Sequence, residues 1–387
     1  MMYEDLEDIV ESALEAKEVL ERFMNSTASF GDVRAKWMSW SPSGTSKSCD
    51  RILSSDGSSS SLPAGPGNIV FAISAAVFGM VDQSPVKLRR YQIGLLDRFK
   101  PEDRIRILRS TLELKLTVKS AERVNPEVVL LDGSLISLTK EPMFVGLMRG
   151  KEGLYLLDES ERVEIVDRIK NELPLEKFLR ESDKVYTADM NTYMDRWSAA
   201  IRIAGDFSES SLEVSRLEWL IMSLMERVEH FMVLSRLLSL PGDVRVIAIS
   251  KRSSSKELFR RFAPDISLIS AYTRETGFTS PMIEEVKLPK YFQDRICRKV
   301  TVFYARLHEK ANPLRIEVLG ELDQGSISEV LDFLSTISVN GYPYHLRMSH
   351  EMAKITRGHL RAVRGVLGSD FWKMCFLSGR EMLGERF

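Results

Sequence analysis

Residues 51–58 are Arg-Ile-Leu-Ser-Ser-Asp-Gly-Ser, and residues 128–134 are Val-Val-Leu-Leu-Asp-Gly-Ser. Each segment is a short apolar run followed by Asp-Gly-Ser, which predicts buried strands at 51–55 and 128–131 with Asp56 and Asp132 at their ends. Strand ends in α/β sheets collect ligand-binding groups, and a glycine after the acid lets a substrate or metal approach the backbone. Because Asp-Gly is also a common turn dipeptide, a plain turn is the alternative for either copy alone.

The residues between these two segments predict two further strands and a helix. Residues 68–81 and 91–99 form apolar runs, joined by turns at 61–67 and 82–87. Pro101 then opens a helix that carries Glu113 one position from its leucine stripe, so Glu113 is expected at the core boundary. A solvated neighbour of a lysine is the alternative for this acid. The resulting order is βββαβ.

The second half of the chain predicts a helical insertion followed by further strands and helices. Residues 161–240 are mainly helical, with an irregular break at 182–206. A buried strand at 244–250 ends beside Lys251, and a loop-rich stretch follows to residue 294. The remaining predicted elements are strands at 300–307 and 314–319 and helices at 328–338 and 345–364.

A histidine on the last predicted helix is a candidate functional residue. Leu346, His350 and Ala353 recur at helical spacing, which predicts that His350 faces inward. A buried, hydrogen-bonded histidine is one interpretation. Beside several carboxylates, His350 would instead be a metal ligand or a proton shuttle.

Composition and charge restrict the class of protein. The 387 residues are 44% hydrophobic and carry 54 Lys and Arg against 55 Asp and Glu, which excludes a disordered chain and a generally basic nucleic-acid coat. Residues 1–23 hold eight acids and two bases on an amphipathic helix pattern, whereas residues 84–123 hold eleven bases and five acids. Segments 251–261 and 354–380 are also basic. In one cleft these three segments would form a phosphate-binding channel; otherwise they are solvated helix faces.

Other chemistries have little support in the sequence. The three cysteines form no CxxC pair, which argues against a disulfide scaffold and a structural zinc site. The longest nearly apolar run, 69–81, is too short to cross a bilayer, and the acidic N-terminus is unlike a signal peptide. A cytoplasmic protein without a membrane partner is therefore expected. The sequence contains no G-x-x-x-x-G-K-[ST], G-x-S-x-G or H-E-x-x-H motif, so it predicts neither a motor, a serine hydrolase nor a zincin.

The metal-binding residues of ribonuclease H-like nucleases occur in one order over βββαβ: an acid on a strand, an acid on a helix, an acid at a strand end, and an acid or histidine on a late helix. This sequence has the same order, with Asp56, Glu113, Asp132 and His350. With Leu-Glu-Leu at 112–114, Ile-Ser-Lys at 249–251 and Tyr-Pro-x-x-Leu-x-x-x-His at 342–350, residues 45–360 resemble the prokaryotic, and especially archaeal, NurA nucleases. The sequence departs from the family pattern at Ser349, where alanine is usual, and in the serine run after Asp56.

The resemblance implies an α/β fold with a ribonuclease H-like mixed sheet flanked by helices and a helical insertion at about 150–240. It implies a deoxyribonuclease of the 5′-to-3′ exonuclease and single-strand endonuclease type, acting on single-stranded and duplex DNA ends in recombinational repair. It also implies a homodimer and a HerA-type hexameric ATPase as partner. An acidic helix and linker at 1–44 and a basic extension at 361–387 would flank the nuclease domain.

The resemblance also implies a metal site. Asp56, Glu113, Asp132 and His350 would bind Mn²⁺ or Mg²⁺, and the imidazole favours Mn²⁺. Two such ions would activate water and stabilise the leaving oxygen. Lys251 would stabilise phosphorane charge, and Tyr342 would position a phosphate or a water molecule. Two alternatives remain open: a non-catalytic DNA-binding or scaffold subunit of the same complex, and a nuclease that acts on RNA or hybrids.

Overall fold

The computed structural model describes residues 14, 17–18, 30–43, 49–63, 68–97, 100–140, 159–207, 211–261, 263–290, 292 and 296–376. These residues belong to two compact units. The first unit comprises residues 1–48, 248–284 and 300–344, and the second comprises 49–247, 285–299 and 345–387. The predicted N-terminal helix lies outside the described residues except for Leu14, Lys17 and Glu18, which are helical.

The second unit begins with a mixed sheet. Its strands are β2 (Arg51–Pro63), β3 (Asn68–Val81), β4 (Ser84–Asp97) and β5 (Val128–Asp132). β2, β3 and β4 pair antiparallel in sequence order, as the predicted meander requires, and β5 pairs parallel with β2. The parallel step is possible because helix α2 (Pro101–Val124) connects β4 to β5. This arrangement confirms the predicted mixed α/β class, while the ribonuclease H-like assignment stays a prediction.

Several strands of this sheet differ from their predicted bounds. β2 continues to Pro63, because the serine run pairs with β3 instead of forming a turn. β4 begins at Ser84, so the turn after β3 consists of Asp82 and Gln83, both with positive φ. The serine run shows that small polar side chains can occupy a strand wherever neighbouring strands satisfy the backbone.

Helix α2 packs on β2 and β3 through its apolar face. A helical layer follows, made by a short α3 (Leu135–Thr139), α4 (Glu159–Glu172), α5 (Leu175–Glu181), α6 (Tyr193–Asp206) and α7 (Ser211–Leu238). Helix α7 packs on α2, and α4 and α6 pack on α7. The helical prediction for residues 161–240 is confirmed, but the predicted break at 182–206 is wrong in its second half, which forms α6.

The second unit ends with two helices where one was predicted. Helix α10 (Tyr344–Ala353), whose first residue belongs to the first unit, is followed by α11 (Arg357–Phe376), and Lys354 to Thr356 separate them. The predicted domain boundary at 360 falls within α11. Strand β6 (Arg245–Ser250) begins in this unit and continues into the first.

The first unit contains an antiparallel set of strands. Its elements are α1 (Phe30–Lys36), β1 (Trp37–Ser39), α8 (Asp265–Tyr272), β7 (Gly277–Thr279), β10 (Leu314–Leu319), α9 (Gln324–Thr336), β11 (Ser338–Val339) and β12 (Tyr342–Pro343). β8 (Met282–Lys287) and β9 (Cys297–Arg306) each run across a unit boundary, and β9 pairs with β7 and β10. The stretch 251–294, predicted to be loop-rich, therefore contains α8, β7 and β8. No helix among the described residues is long and apolar enough to cross a membrane.

Candidate metal centre

The parallel pairing of β2 with β5 brings two aspartates together. The register pairs Ser55 with Leu131, so Asp56 and Asp132 are the next residues on neighbouring strands. Asp132 is the last residue of β5, as predicted, whereas Asp56 lies within β2 and is not at a strand end. Strand β5, the parallel neighbour of β2, ends level with Asp56, so no further β5 residue lies beside β2 beyond this carboxylate.

The glycines that follow the two aspartates have different roles. A Cβ atom on Gly57 would lie 2.9 Å from Oε2 of Glu113 and 3.1 Å from Cγ of Arg109, so a glycine lets the helix α2 side chains approach β2. The Gly57 N–H also donates a 2.7 Å hydrogen bond to Oδ1 of Asp56. Gly133 has a φ of +143°, which L-residues rarely adopt. Glycine is thus required at position 57 by the close approach of α2, and at position 133 by the conformation of the backbone.

Glu113 is more buried than the sequence predicts, with 9% of its surface exposed. Ser55 Oγ lies 3.5 Å from its Oε1. Burial, together with the charges of Asp56 and Asp132, raises the pKa of Glu113 to about 8, and Arg109 opposes the rise. Glu113 approaches β2 from the face of Ser55 and Gly57, whereas the Asp56 side chain points to the opposite face.

His350 reaches Asp56 from the other face of the sheet. Its Nδ1 lies 2.6 Å from Oδ2 of Asp56, but half of the His350 side chain is exposed, so the predicted inward orientation is wrong. Leu346 and Ala353 are fully buried, which places His350 at the edge of the buried face of α10. The pKa of Asp56 is raised by burial and by Asp132, and the hydrogen bond to His350 opposes the rise.

Three of the four predicted ligands can reach one ion. One ligand atom from each of Asp56, Asp132 and His350 lies within 4.8 Å of the other two, and Glu113 is not part of this set. The donors fit a hard or borderline divalent cation, because two carboxylates and one imidazole suit Mn²⁺ or Mg²⁺. The raised pKa values of Asp56 and Glu113 support the same fit, since crowded, buried carboxylates lack sufficient positive charge from the protein.

Lys251 and Tyr342, the other two predicted site residues, belong to the first unit. Lys251 directly follows β6, as predicted, and its Nζ lies 4.1 Å from the centroid of the Tyr342 ring. The structure therefore brings these two residues together as a cation–π pair.

Sequence reasoning missed a cavity of about 290 Å³ next to the carboxylates. Its lining includes Glu113 and Asp132 together with Arg106, Arg109, Lys140, Arg227 and His230. His230 is buried, which lowers its pKa to about 4 and keeps it neutral, and it contacts the Thr111 hydroxyl at 3.1 Å. The three- and four-residue spacing of Arg106, Arg109 and Glu113 was a signal for a shared helix face.

Two bases of segment 84–123 are buried and have partners within the chain. Arg104 forms a buried ion pair with Glu226, and the Lys115 ammonium donates to the main-chain oxygens of Phe178 and Lys184. These two cations therefore belong neither to a phosphate-binding channel nor to a solvated helix face, the two predicted alternatives for this segment.

A family model described as the NurA domain matches residues 50–355. The probable DNA double-strand break repair nuclease NurA of Methanocaldococcus jannaschii is 28% identical over 290 residues, covering 70% of this chain and 65% of that protein's length. The DNA double-strand break repair nuclease NurA of Saccharolobus solfataricus is 24% identical over 339 residues, covering 85% of this chain and 83% of that protein.

Solved structures show the same fold. The crystal structure of the NurA nuclease from Sulfolobus solfataricus has a TM-score of 0.64 at 21% identity and covers 96% of this chain and 97% of its own. A crystal structure of NurA bound to dAMP and manganese has a TM-score of 0.65 at 16% identity and covers 96% of this chain and 99% of its own.

Proposed function

Because the chain belongs to the NurA family, we propose that it is a metal-dependent deoxyribonuclease that processes DNA ends. The observation that carries this proposal is the convergence of Asp56, Asp132 and His350 to within 4.8 Å, with the buried carboxyl of Glu113 beside them. Relatives described as double-strand break repair nucleases, and a related NurA bound to dAMP and manganese, support DNA as the substrate.

The residues that would hold the ion are Asp56, Asp132 and His350, with Glu113 beside them. When bound, a divalent cation supplies an activated water and neutralises charge on the phosphate. Glu113, with a pKa of about 8, carries a proton at neutral pH in the metal-free protein. Loss of that proton and binding of a cation are therefore linked, and the affinity for the cation should rise with pH.

The positive side chains near the carboxylates are suited to phosphate. Arg106, Arg109 and Lys140 line the cavity that also contains Glu113 and Asp132. Positive potential in such a cleft attracts a polyanion and makes its binding sensitive to salt. Lys251, held over the Tyr342 ring, would stabilise negative charge on the reacting phosphate, and Tyr342 would position that phosphate or a water molecule.

The finer features are part of the same proposal. Manganese is favoured over magnesium because His350 adds an imidazole to the carboxylate donors, and a pair of ions is the expected arrangement. The activity is of the 5′-to-3′ exonuclease and single-strand endonuclease type, the protein acts as a homodimer, and a HerA-type hexameric ATPase feeds it DNA. The sequence has no nucleotide-binding loop of its own, which is the reason for an external motor.

The proposal is tested by a nuclease assay on 5′- and 3′-labelled single-stranded and duplex DNA, with Mn²⁺, Mg²⁺ or EDTA and with an RNA strand for comparison. Metal-dependent shortening of DNA is expected, with Mn²⁺ more effective than Mg²⁺ and no cleavage in EDTA. DNA binding without cleavage under any metal would instead identify a non-catalytic subunit, and preference for RNA would identify a different nuclease.

A further inference from the structure

The face of the sheet that carries Asp56 also carries residues of β4. Asp56 pairs with Ala76 and Ala76 with Arg89, while in the next row Ser58 pairs with Ser74 and Ser74 with Tyr91. Directly opposed residues of antiparallel strands share a face. The side chains of Asp56, Arg89 and Tyr91 therefore lie on the same side of the sheet, with small residues of β3 between them.

Arg89 and Tyr91 form an exposed aromatic and cationic group at this face. The Arg89 guanidinium carbon lies 4.1 Å from the centroid of the Tyr91 ring, yet Tyr91 remains 45% exposed. The His359 ring approaches Tyr91 at 5.5 Å with an interplanar angle of 63°. An exposed ring that is held in place by two neighbours is prepared for contact with a ligand.

The position of His359 is fixed by the start of α11. The Thr356 N–H donates to Nδ1 of His359 at 3.1 Å, and the His359 N–H donates to Oγ1 of Thr356 at 3.4 Å, an arrangement similar to a capping box. Ile355 N–H donates to Oγ of Ser58 at 3.2 Å, and Arg89 donates to the main-chain oxygen of Lys354 at 3.0 Å. The segment between α10 and α11 is thus attached to the same two rows of the sheet.

The charges around the Tyr91 ring favour an anionic ligand. Lys354, Arg357 and Arg361 are exposed near the start of α11, whose first turn contains no acid. Helix N-termini normally carry acids, because these complement the macrodipole. The basic first turn of α11, next to Arg89 and Tyr91, is therefore suited to a nucleic acid, whose phosphates are negative and whose bases are planar.

We propose that Tyr91, Arg89 and His359 form a stacking platform for an unpaired base of the DNA strand whose phosphate lies at the metal centre. This proposal rests on the proposed nuclease function and specifies its substrate as single-stranded nucleic acid. Two strand spacings of about 4.8 Å and a two-residue step of about 6.8 Å along β4 separate Asp56 from Tyr91, so the platform lies roughly 12 Å from the carboxylate. At a rise of about 3.4 Å per nucleotide, a strand covers that distance in about four nucleotides or fewer.

The exposed side of the metal centre is on the same face of the sheet as Tyr91, which supports a platform at this residue. His350 is half exposed, whereas Glu113 on the opposite face is buried. Residues 353–356 lie against the sheet between Asp56 and Tyr91, so a strand that enters from the His350 side reaches Tyr91 by passing over this segment. Stacking on an aromatic side chain tolerates every base, as an enzyme that degrades arbitrary ends requires.

The platform is tested by measuring the affinity of the full chain for a fluorescein-labelled 12-nucleotide dT strand in EDTA, where no cleavage occurs. Tyr91→Ala should weaken binding by about tenfold, the order expected for loss of one stacked base, and Tyr91→Phe should bind like the wild type. Ile93→Ala is the matched control, because Ile93 lies on the same strand and face and is 42% exposed. It should change the affinity less than about twofold.

A second measurement identifies the stacked base. A single abasic nucleotide is moved along the dT strand, and at one position it should weaken wild-type binding as much as Tyr91→Ala does, with no further loss when both changes are combined. With Mn²⁺, Tyr91→Ala should raise KM and leave kcat nearly unchanged.

The outcomes separate the platform from the nuclease function. If the wild type cleaves DNA and Tyr91→Ala binds as tightly, the platform is wrong and the nuclease function stands. Equal losses in Tyr91→Ala and Ile93→Ala would show that a ring does not stack there. Equal losses in Tyr91→Ala and Tyr91→Phe would show that the hydroxyl makes the contact and the ring does not. A wild type that binds no DNA would overturn both.

Discussion

The second unit buries carboxylates in two ways. Glu226 on α7 is fully buried, and its two oxygens accept hydrogen bonds from Nε and Nη2 of Arg104 at 2.6 to 3.1 Å. Glu229, one turn later, accepts from the N–H groups of Tyr186 and Thr187 and from the Thr187 hydroxyl. These two carboxylates are thus neutralised or satisfied within the chain.

The carboxylates of Asp56, Glu113 and Asp132, near the end of the β2–β5 pairing, are not neutralised in this way. Asp56, Glu113 and Asp132 repel one another, and this repulsion adds to the effect of burial on the pKa of Glu113 and Asp56. Arg109 and His350 offset only part of it. Glu226 and Glu229 show that this fold can supply partners to a buried acid where stability requires them. The repulsion among Asp56, Glu113 and Asp132 is only partly offset, which supports the proposed cation site beside them.

The largest expected effect is loss of activity in Asp132→Asn. The amide keeps the shape of the side chain but loses the charge that holds the ion, so cleavage should fall by about three orders of magnitude or more. Labelled-DNA cleavage in Mn²⁺ and calorimetric titration of the metal measure the two losses. Glu172→Gln, which removes a surface ion pair with Arg202, is the control and should leave both unchanged. Full Mn²⁺-dependent cleavage by Asp132→Asn would remove this aspartate from the site.

The next largest effect is on folding stability, and it concerns Glu226, a buried carboxylate with a partner within the chain. Glu226→Ala leaves the guanidinium of Arg104 buried without its main partner, which should cost about 3–5 kcal/mol in the free energy of unfolding. Urea denaturation measures this cost, and added Mn²⁺ should not restore it. Replacing both partners, Arg104→Met with Glu226→Leu, should recover much of the loss. If Glu226→Ala is as stable as the wild type, the proposed difference between the two groups of carboxylates is wrong.

The third effect is a dependence of stability on pH in the metal-free protein. Folding raises the pKa of Glu113 from 4.5 to about 8, so the folded state binds more protons than the unfolded state between these values, and stability falls as pH rises through this window. The pKa of His230 is lowered to about 4, which gives the opposite slope below pH 6.5. Glu284, whose pKa is raised to about 7, adds to the fall in stability below that pH, and Lys115, whose pKa is lowered to about 8, has the opposite effect near pH 8. The difference in slope between the wild type and Glu113→Gln therefore reports on the acidic cluster.

Thermal melts in EDTA at several pH values test this dependence. The Tm of the wild type should fall from pH 6.5 to 8, and a divalent cation should raise it most at the higher pH. Glu113→Gln should flatten the slope and stabilise the metal-free protein at pH 8, while reducing cleavage. A wild-type Tm that rises over this range would contradict the raised pKa.

The smallest predicted effect is that of His350→Ala. Because His350 is half exposed and both aspartates remain, metal affinity should fall by about tenfold and not be abolished. Loss of the imidazole should also reduce the preference for Mn²⁺ over Mg²⁺. Cleavage rates at a series of concentrations of each metal measure this change. An unchanged ratio of the two metals would show that His350 acts only through its hydrogen bond to Asp56.

Much of this site could be predicted from residues close together in the sequence. β5 and Asp132 were predictable because a short apolar run that stops at a turn dipeptide is typical of a buried strand, which places the acid at the end of that strand. Helix α2 was predictable because Pro101, an acidic first turn and a regular leucine stripe agree with one another. These signals are local, so no knowledge of distant contacts was needed.

The rest depends on contacts between distant segments. Serines 58 to 61 resemble a loop in composition, but in the structure they pair with β3, and Ser74 of β3 donates to the main-chain oxygen of Ala353. Small side chains are needed there because a helical segment lies against the sheet. The orientation of His350 also depends on where α10 meets Asp56, and helical periodicity alone does not specify this.

Strand β4 has β3 on one side and, among the described residues, no strand on the other. An open strand of 14 residues is long enough to recruit a second chain into an intermolecular sheet. Its first half carries Pro85, Lys87, Arg89 and Arg90, and proline and like charges oppose such pairing. Positive charge at this margin therefore protects the protein from aggregation, so neutral variants of β4 that are made to weaken DNA binding should also precipitate more readily in concentrated, low-salt solution.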